Sequence, residues 1–441
     1  MSLFDKFKKY KDSEALFYNN TSISYKDILY QVSKFKKIIN EKSLLLLVSS
    51  NTVLSIIFYI FSIKHNCKII ILDKNHSIKF IKDTAKKFQP NFIFYPNQKK
   101  IINSGKKIFF NDYTLVKLKS LINKKINDIN SIILTTSGTT SNPKFVRISK
   151  KNIFENTYQI QKYLKINRKQ KTITTLSMAY SYGLSVINTH LEFGAKIYLN
   201  EISPVNIKFW QIVKNQKITN FSTVPQICDF LKKIKFEKFL TKNIKYLTVA
   251  GGKTNDETLK YINNICKLNK VNFFVMYGQT EASPRMSYIN ISKNKKIKSI
   301  GKPIVGGKMK IINDEIVYFG KNVSLGYAKD IKDLYLGDIN NGKLYTGDFG
   351  KKDNEGFFYI TGRKKRISKL FGLRIDLDDI QLSLNKRGYK VFLNVNDEKI
   401  DIIYNRKYNE NLIKQYIRKK YNINENYISC TKKKLKKNIF K

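Results

Sequence analysis

Ile132-Ile-Leu-Thr-Thr-Ser-Gly-Thr-Thr-Ser-Asn-Pro-Lys-Phe-Val-Arg-Ile-Ser149 is the stretch on which the reading of this chain turns. Its apolar start, Ile132 to Leu134, reads as a buried strand. Thr136, Ser137, Gly138, Thr139 and Thr140 follow without interruption, and the run closes on the turn Asn142-Pro143-Lys144. Gly138 lets backbone approach a ligand closely, and convergent amides and hydroxyls beside the Lys144 ammonium suit a polyphosphate. A polar hairpin turn is the plainer alternative. The P-loop pattern is excluded, because no Gly-Lys-Ser/Thr stands at the required spacing.

On either side, strands alternate with helices. Residues 15–30 open as a hairpin turning at Asn19-Asn20, and a helix continues to about 41. Residues 44–63 carry no charge and are long enough to span a bilayer. Ser49-Ser50-Asn51-Thr52 stands in the middle, however, where a spanning helix is most apolar. A buried strand at 44–48, an N-cap at Asn51 or Thr52 and a core helix at 53–64 account for the pattern better, so no transmembrane anchor is expected. A strand at 67–72, a helix at 77–88 and a strand at 92–95 follow. Past the loop come a helix at 151–164, a strand at 172–177, a helix entered through Tyr180, Tyr182 and Gly183, and βαβ units up to 250. This alternation predicts an α/β fold: a large N-terminal domain with parallel-rich sheets, covered on both faces. Ligand sites in open sheets of this kind lie at the strand ends.

A chain of 441 residues is long enough for two or more domains, and 42% hydrophobic residues fit a globular protein. Its 83 basic and 33 acidic residues leave a net charge of +50. That balance suits a nucleic-acid or anionic-membrane binder. The lysines are dispersed through every segment, though, as a lysine-rich composition produces by itself, and no specific nucleic-acid partner is expected. Cys67, Cys228, Cys266 and Cys430 form no CxxC pair, which argues against zinc and disulfides and fits a reducing, cytoplasmic location. His65, His76 and His190 lack metal-ligand spacing. The N-terminus lacks the apolar core of a signal peptide.

A second cluster stands at 273–286, Phe-Phe-Val-Met-Tyr-Gly-Gln-Thr-Glu-Ala-Ser-Pro-Arg-Met. An apolar strand delivers Tyr277 as a stacking platform, then Gly278, the Thr280 hydroxyl and the Glu281 carboxylate. Aromatic face, phosphate donor and metal-binding oxygen together suit Mg-ATP. Gly251-Gly252, after a strand at 246–250, marks either close approach of a ligand or a tight turn. Further on stand Thr346-Gly347-Asp348 and Gly362-Arg363-Lys364-Lys365. Asp348 as a turn aspartate and 363–366 as a solvated charge run are the plain alternatives.

The loop at 136–145 resembles the phosphate-binding signature of the AMP-forming (adenylate-forming) acyl ligases, Thr-Ser-Gly-Thr-Thr-Gly-x-Pro-Lys-Gly, with Ser141 and Phe145 replacing two family glycines. Tyr277 to Glu281 resembles the second signature, Tyr-Gly-x-Thr-Glu, unchanged. Residues 346–348 and 362–365 resemble the Thr-Gly-Asp and Gly-Arg-x-Lys motifs. The resemblance covers essentially the whole chain and is strongest to acyl-CoA synthetases. It implies that Thr136, Ser137, Gly138, Thr139, Thr140 and Lys144 hold the ATP phosphates. Gly251, Gly252, Tyr277, Gly278, Asp348, Ile360 and Arg363 would hold adenine and ribose. Thr280 and Glu281 are implied catalytic residues, Glu281 binding Mg2+, and Tyr182, Gly183 and Val224 would line the acyl pocket. Family members that activate amino acids tend to carry an Asp where Gly183 stands. A buried ammonium left unpaired costs roughly several kcal/mol, so an uncharged acyl chain is implied. Tyr180 and Tyr182 read equally well as core aromatics.

A β-rich subdomain is expected from 301 onward, within an N-terminal domain of residues 1–361. Residues 362–441 would form a small, mobile α+β domain: a helix, strands at 390–395 and 399–404, a helix at 409–420 and a basic tail. The resemblance makes Lys365 a hinge and sets Gly372 beside the thiol tunnel. The family's Pro-x-Thr-x-x-Gly-Lys has become a lysine run in which Lys437, before Asn438-Ile439-Phe440, is the implied catalytic lysine and Lys436 the neighbouring alternative. The implied function is ATP-dependent activation of a small carboxylic acid to acyl-AMP and its transfer to a thiol, first of all CoA. ATP, Mg2+ and CoA or phosphopantetheine are the implied cofactors. The rivals are loading of an acyl carrier protein's phosphopantetheine and, from another class, a basic binding or regulatory protein that kept the fold and lost catalysis. Intact Thr280, Glu281, Asp348 and Arg363 oppose the last; the altered tail favours it.

Overall fold

Strands Leu44–Ser49 and Lys68–Asp73 are buried along their whole length, as parallel strands covered on both faces must be. They belong to a computed structural model that describes residues 3–99, 101–102, 105–118, 126–136, 144–363, 367–370, 373–396, 399–404, 408–421 and 423–432. The two pair in parallel from Leu44 opposite Lys68 to Ser49 opposite Asp73. They lie at the centre of an eight-stranded sheet. Ile132–Thr135 extends it in parallel, and Phe145–Ile148 returns antiparallel beside that strand. Gly326–Ala328, from far down the chain, forms the edge. The opposite edge is Tyr113–Lys117 and Lys106–Phe109, both antiparallel. No strand was expected there. Lys106–Phe109 is largely exposed, so no apolar alternation announces it.

A second, nine-stranded sheet has a parallel centre running through Lys196–Tyr198, Lys171–Ile173, Asn220–Thr223, Tyr246–Val249 and Asn272–Gly278. Antiparallel strands close both of its edges, so the sheets are parallel-rich and mixed. The strand expected at 172–177 is three residues long, Lys171–Ile173. The charge-free segment resolves into strand Leu44–Ser49 and helix Val53–Lys64, whose residues Ser55 to Ile63 are all buried. Phe58 of that helix stacks on Phe94 at 4.4 Å. Among the described residues no helix is long and apolar enough to cross a membrane. Thr52 is the N-cap residue but makes no side-chain cap bond. Asn51 instead donates to the Leu176 carbonyl at 3.1 Å and accepts from the Met178 N–H at 3.3 Å. The polar break in the apolar segment therefore joins distant parts of the chain. The hairpin Gly307–Ile312 and Glu315–Gly320 turns at Asn313-Asp314, both with positive φ, and opens the β-rich part.

The chain divides into two compact units. One comprises the described residues before the phosphate loop together with Lys144–Thr346 and Gly350–Ile360; the other comprises Gly347–Phe349 and the described residues from Thr361 onward. The second unit packs helices Leu377–Lys386 and Glu410–Tyr421 around Ile380, Leu384, Ile402 and Ile413. Its sheet holds Val391–Asn396, Lys399–Tyr404 and a third strand, Ile428–Lys432, parallel to the second. The sequence had assigned that segment to the basic tail. Only Ile428 is buried in it, while Ser429 and Thr431 donate to Asp401.

Arg147 in Phe145–Ile148 is 0% exposed, and burial lowers its pKa. Its guanidinium donates to the carbonyls of Tyr327, Leu336 and Leu325 at 3.2, 2.8 and 2.9 Å. Arg147→Met leaves these carbonyls without donors and should lower unfolding free energy by about 2–4 kcal/mol, read by urea denaturation. A midpoint equal to the parent's would exclude this clamp.

Candidate active site

At the end of Asn272–Gly278 the chain makes one tight turn, Thr280–Ala282, and doubles back as Arg285–Asn290. Gly278 is required by that reversal: a β-carbon there would stand 1.9 Å from the Pro284 carbonyl oxygen. The turn presents Thr280 and Glu281. Buried Thr280 lies with Oγ1 3.2 Å from Ser181 Oγ, at the start of helix Ser181–Glu192. Glu281 Oε1 accepts the Tyr327 hydroxyl at 2.7 Å, and its carbonyl accepts the Ser324 N–H at 2.8 Å. The Lys144 ammonium sits 4.8 Å from the centre of the Tyr327 ring. Burial first, and then the Glu281 charge, raise the Tyr327 pKa far above its ordinary value, so the phenol keeps its proton and donates it.

Thr136 and Lys144 close the mouth of the phosphate loop, the Thr136 N–H donating to the Lys144 carbonyl at 2.9 Å. Ser137, Gly138, Thr139 and Thr140 lie outside the described residues, as do Lys365, Gly372, Lys436 and Lys437. Gly251 (φ +92°) and Gly252 are exposed after Tyr246–Val249. A β-carbon on Gly251 would meet Val224 at 3.6 Å, so the expected adenine and acyl walls adjoin here. Tyr277 is half-buried. Ile360, expected under adenine, is 42% exposed on Phe358–Arg363, the strand that Arg363 ends. Asp348 is buried in Lys343–Lys352.

Tyr182 is buried, whereas Tyr180 is exposed. The Tyr182 hydroxyl is 2.7 Å from Thr248 Oγ1, which donates onward to Ser222. Gly183 faces backbone: a β-carbon there would fall 2.2 Å from the Ser177 carbonyl oxygen. Glycine at 183 answers to close packing, which by itself accounts for the absent aspartate. The guanidinium of Arg285 lies 4.0 Å from the centre of the Tyr182 ring. Sequence reasoning missed Tyr327, Ser181, Thr248 and Arg285. Only Arg285 left a trace, as the lone charge of strand Arg285–Asn290.

Among the described residues no three His, Cys, Asp or Glu side chains gather around a metal position. Mg2+ held by one carboxylate and substrate phosphates requires no such cluster. A cavity of about 940 Å³ opens at the other end of Ile132–Thr135 from Thr136, with Lys68, Lys150, Lys308 and Lys321 in its wall. None of the described residues expected to hold ATP, metal or acyl group lines it. The motif chemistry, and not the cavity's size, therefore locates the candidate site.

The family model for AMP-binding enzymes matches residues 3–327. The 2-succinylbenzoate–CoA ligase of Listeria innocua is 28% identical over 237 residues, 53% of this chain and 49% of that ligase. The chain thus spans about half the length of the first curated relatives it matches. The D-alanine–D-alanyl carrier protein ligase of Listeria monocytogenes is 24% identical over 90% of this chain and 85% of its own. The o-succinylbenzoate CoA synthetase of Bacillus subtilis, solved with ATP and magnesium ion, superimposes with a TM-score of 0.68 at 16% identity, covering 99% of this chain and 97% of that one. That likeness shows a shared fold.

Gly278→Ala and Gly183→Ala each force a methyl group into a backbone carbonyl and should cost about 1–3 kcal/mol by thermal denaturation. Gly252→Ala, whose β-carbon meets only Pro225 at 3.3 Å, should cost less than either. Equal melting temperatures across the three variants would contradict these close approaches.

Proposed function

The chain belongs to the AMP-binding enzyme family, and from that premise we propose that it activates a carboxylic acid with ATP as acyl-AMP and passes the acyl group to a thiol. The observation that carries this reading is the Tyr327 side chain, which joins the Glu281 carboxylate on one side to the Lys144 ammonium on the other. Through them the phosphate loop and the second signature meet, with Thr280 alongside. A carboxylate, a hydroxyl and an ammonium are the donor set that Mg-ATP needs, and the exposed Gly251-Gly252 backbone leaves a cradle that side chains would fill. The residues fit the group. When bound, Mg2+ supplies neutralisation of phosphate charge.

The substrate carboxylate is already a nucleophile toward the α-phosphorus, so the step needs positioning and charge stabilisation and no general base. In this reading Glu281 holds the metal and Tyr327 holds Glu281 in one orientation. Thr280 and the loop from Thr136 to Thr140 bind phosphate oxygens, with Lys144 as a point charge. Asp348 and Arg363 take the ribose and phosphate side, and Tyr277 and Ile360 the adenine. Lys437 completes charge neutralisation. Residues 362–441, as a small mobile domain hinged at Lys365, then exchange that lysine for the thiol path beside Gly372. The names of the relatives support CoA or a carrier protein as acceptor; CoA is proposed here, in the cytoplasm. Pyrophosphate release from ATP with a panel of acids, with and without CoA, tests the whole reading. No acid-dependent release would end it.

Glu281→Gln should abolish Mg-dependent ATP–pyrophosphate exchange, and exchange at the parent rate would remove its metal role. Tyr327→Phe removes one hydrogen bond to a charged group, worth about 1.5–3 kcal/mol, and should raise the Mg2+ requirement about tenfold. Lys437→Ala should slow acyl-AMP formation by about two to three decades while sparing thioester formation from supplied acyl-AMP. Equal damage to both half-reactions would contradict the exchange of roles.

A further inference from the structure

Among the described residues two arginines are buried near the candidate site, and they are satisfied very differently. Arg147 has each of three guanidinium nitrogens on a carbonyl. Arg285 is 3% exposed, yet its Nε has no hydrogen-bond partner, and among the described residues no carboxylate pairs with it. What surrounds it is aromatic. The guanidinium lies over Tyr182, and the Tyr163 hydroxyl is close enough for Arg285 to oppose the rise that burial gives that phenol's pKa. Tyr182 in turn packs in one hydrophobic cluster with Tyr246, Phe274 and Met276, and Tyr163 lies against that cluster. A ring face offsets only part of the cost of burying a cation, and an arginine held this way normally finds an anion.

The backbone of Arg285 is fixed, so the side chain cannot escape by a shift of the strand. Its carbonyl accepts from Asn156 and Asn322 at 3.0 and 2.8 Å, and its N–H donates to Asn156 at 3.3 Å. Position matters equally. Arg285 stands opposite Gly278 in the ladder, four residues past Glu281. Tyr182, on which it rests, follows the Ser181 that touches Thr280. The cation therefore lies on the residue assigned to the acyl pocket, immediately behind the signature turn.

Resting on the acid-activating function above, we propose that Arg285 is the distal anchor of the acyl pocket and that the substrate is an acid carrying a second anionic group, a carboxylate, on an aromatic or otherwise flat body. One carboxylate reacts with ATP and the other takes the guanidinium fork, which matches carboxylate geometry bidentately. The tyrosine-rich wall receives the body between them.

The test uses the full chain and paired probes: suberate and terephthalate, each against its monomethyl ester. The parent enzyme should favour at least one diacid over its ester by about tenfold or more in kcat/KM for ATP–pyrophosphate exchange. Arg285→Met should bring that ratio near one, mainly through KM. Arg285→Lys, which keeps the charge and loses the fork, should fall between. Calorimetric binding of the same probes without ATP should show the same order and reads the subsite independently of catalysis. Should Arg285→Met fail to fold, as judged by circular dichroism, Arg285→Lys carries the comparison. A parent enzyme indifferent between diacid and ester in both assays, or a variant that keeps the parent's ratio, overturns the anchor. Diacid binding that depends on Arg285 without exchange for any acid supports the anchor and overturns acid activation instead.

Discussion

The guanidinium of Arg147 is the constraint on which the site depends. A charge buried in the hairpin that leaves the phosphate loop must be compensated, and the nearest available acceptors are carbonyls from residues 325–336. Meeting that demand draws Gly326–Ala328 onto Phe145–Ile148 as the edge of the eight-stranded sheet. Tyr327 is then delivered between Lys144 and Glu281. A desolvation problem in one strand thus assembles groups that lie far apart along the chain.

The same economy governs the turn that bears Glu281. Its carbonyl accepts from Ser324, and Asn322 donates to the carbonyls of Ala282 and Arg285. Asn156, from helix Lys150–Leu164, holds Arg285 from the other side. These buried amides each satisfy backbone groups that secondary structure leaves open, so the turn is rigid before any ligand arrives. Rigidity at Glu281 serves catalysis because a fixed carboxylate needs no reorganisation as charge develops. Rigidity at Arg285 has another effect, since it keeps a cation buried that the protein itself leaves incompletely satisfied.

Charge and apolarity in this chain invite readings that the fold redirects. The uncharged run at 44–63 is apolar because strand Leu44–Ser49 and helix Val53–Lys64 lie in the core, and Asn51 interrupts it to bond Leu176 and Met178. Lysine abundance gives the chain its +50 charge, while the buried cations that organise the site are arginines. Arginine's planar fork can satisfy several acceptors at once, which a lysine ammonium on a flexible stem does less well.

The sequence by itself determined whatever is written locally. Apolar runs bounded by turn residues located Leu44–Ser49, Lys68–Asp73, Ile132–Thr135 and Asn272–Gly278, and helical periodicity located the helices between them. Tyr277 to Glu281 could be read as a unit because five neighbouring residues carry its chemistry. Only the tertiary structure decided what each of these residues touches. Tyr327 meets Glu281 across 46 positions and Arg147 meets Leu336 across 189, and no periodic pattern records such pairs. Gly183 looked like an absent aspartate until the Ser177 carbonyl stood against it. Strands Lys106–Phe109 and Ile428–Lys432 escaped because they bury few side chains, and the ladder that holds them is made of backbone groups identical in every residue. Local propensity is a property of neighbours in the chain. Partnership, burial and the balance of a buried charge belong to neighbours in space.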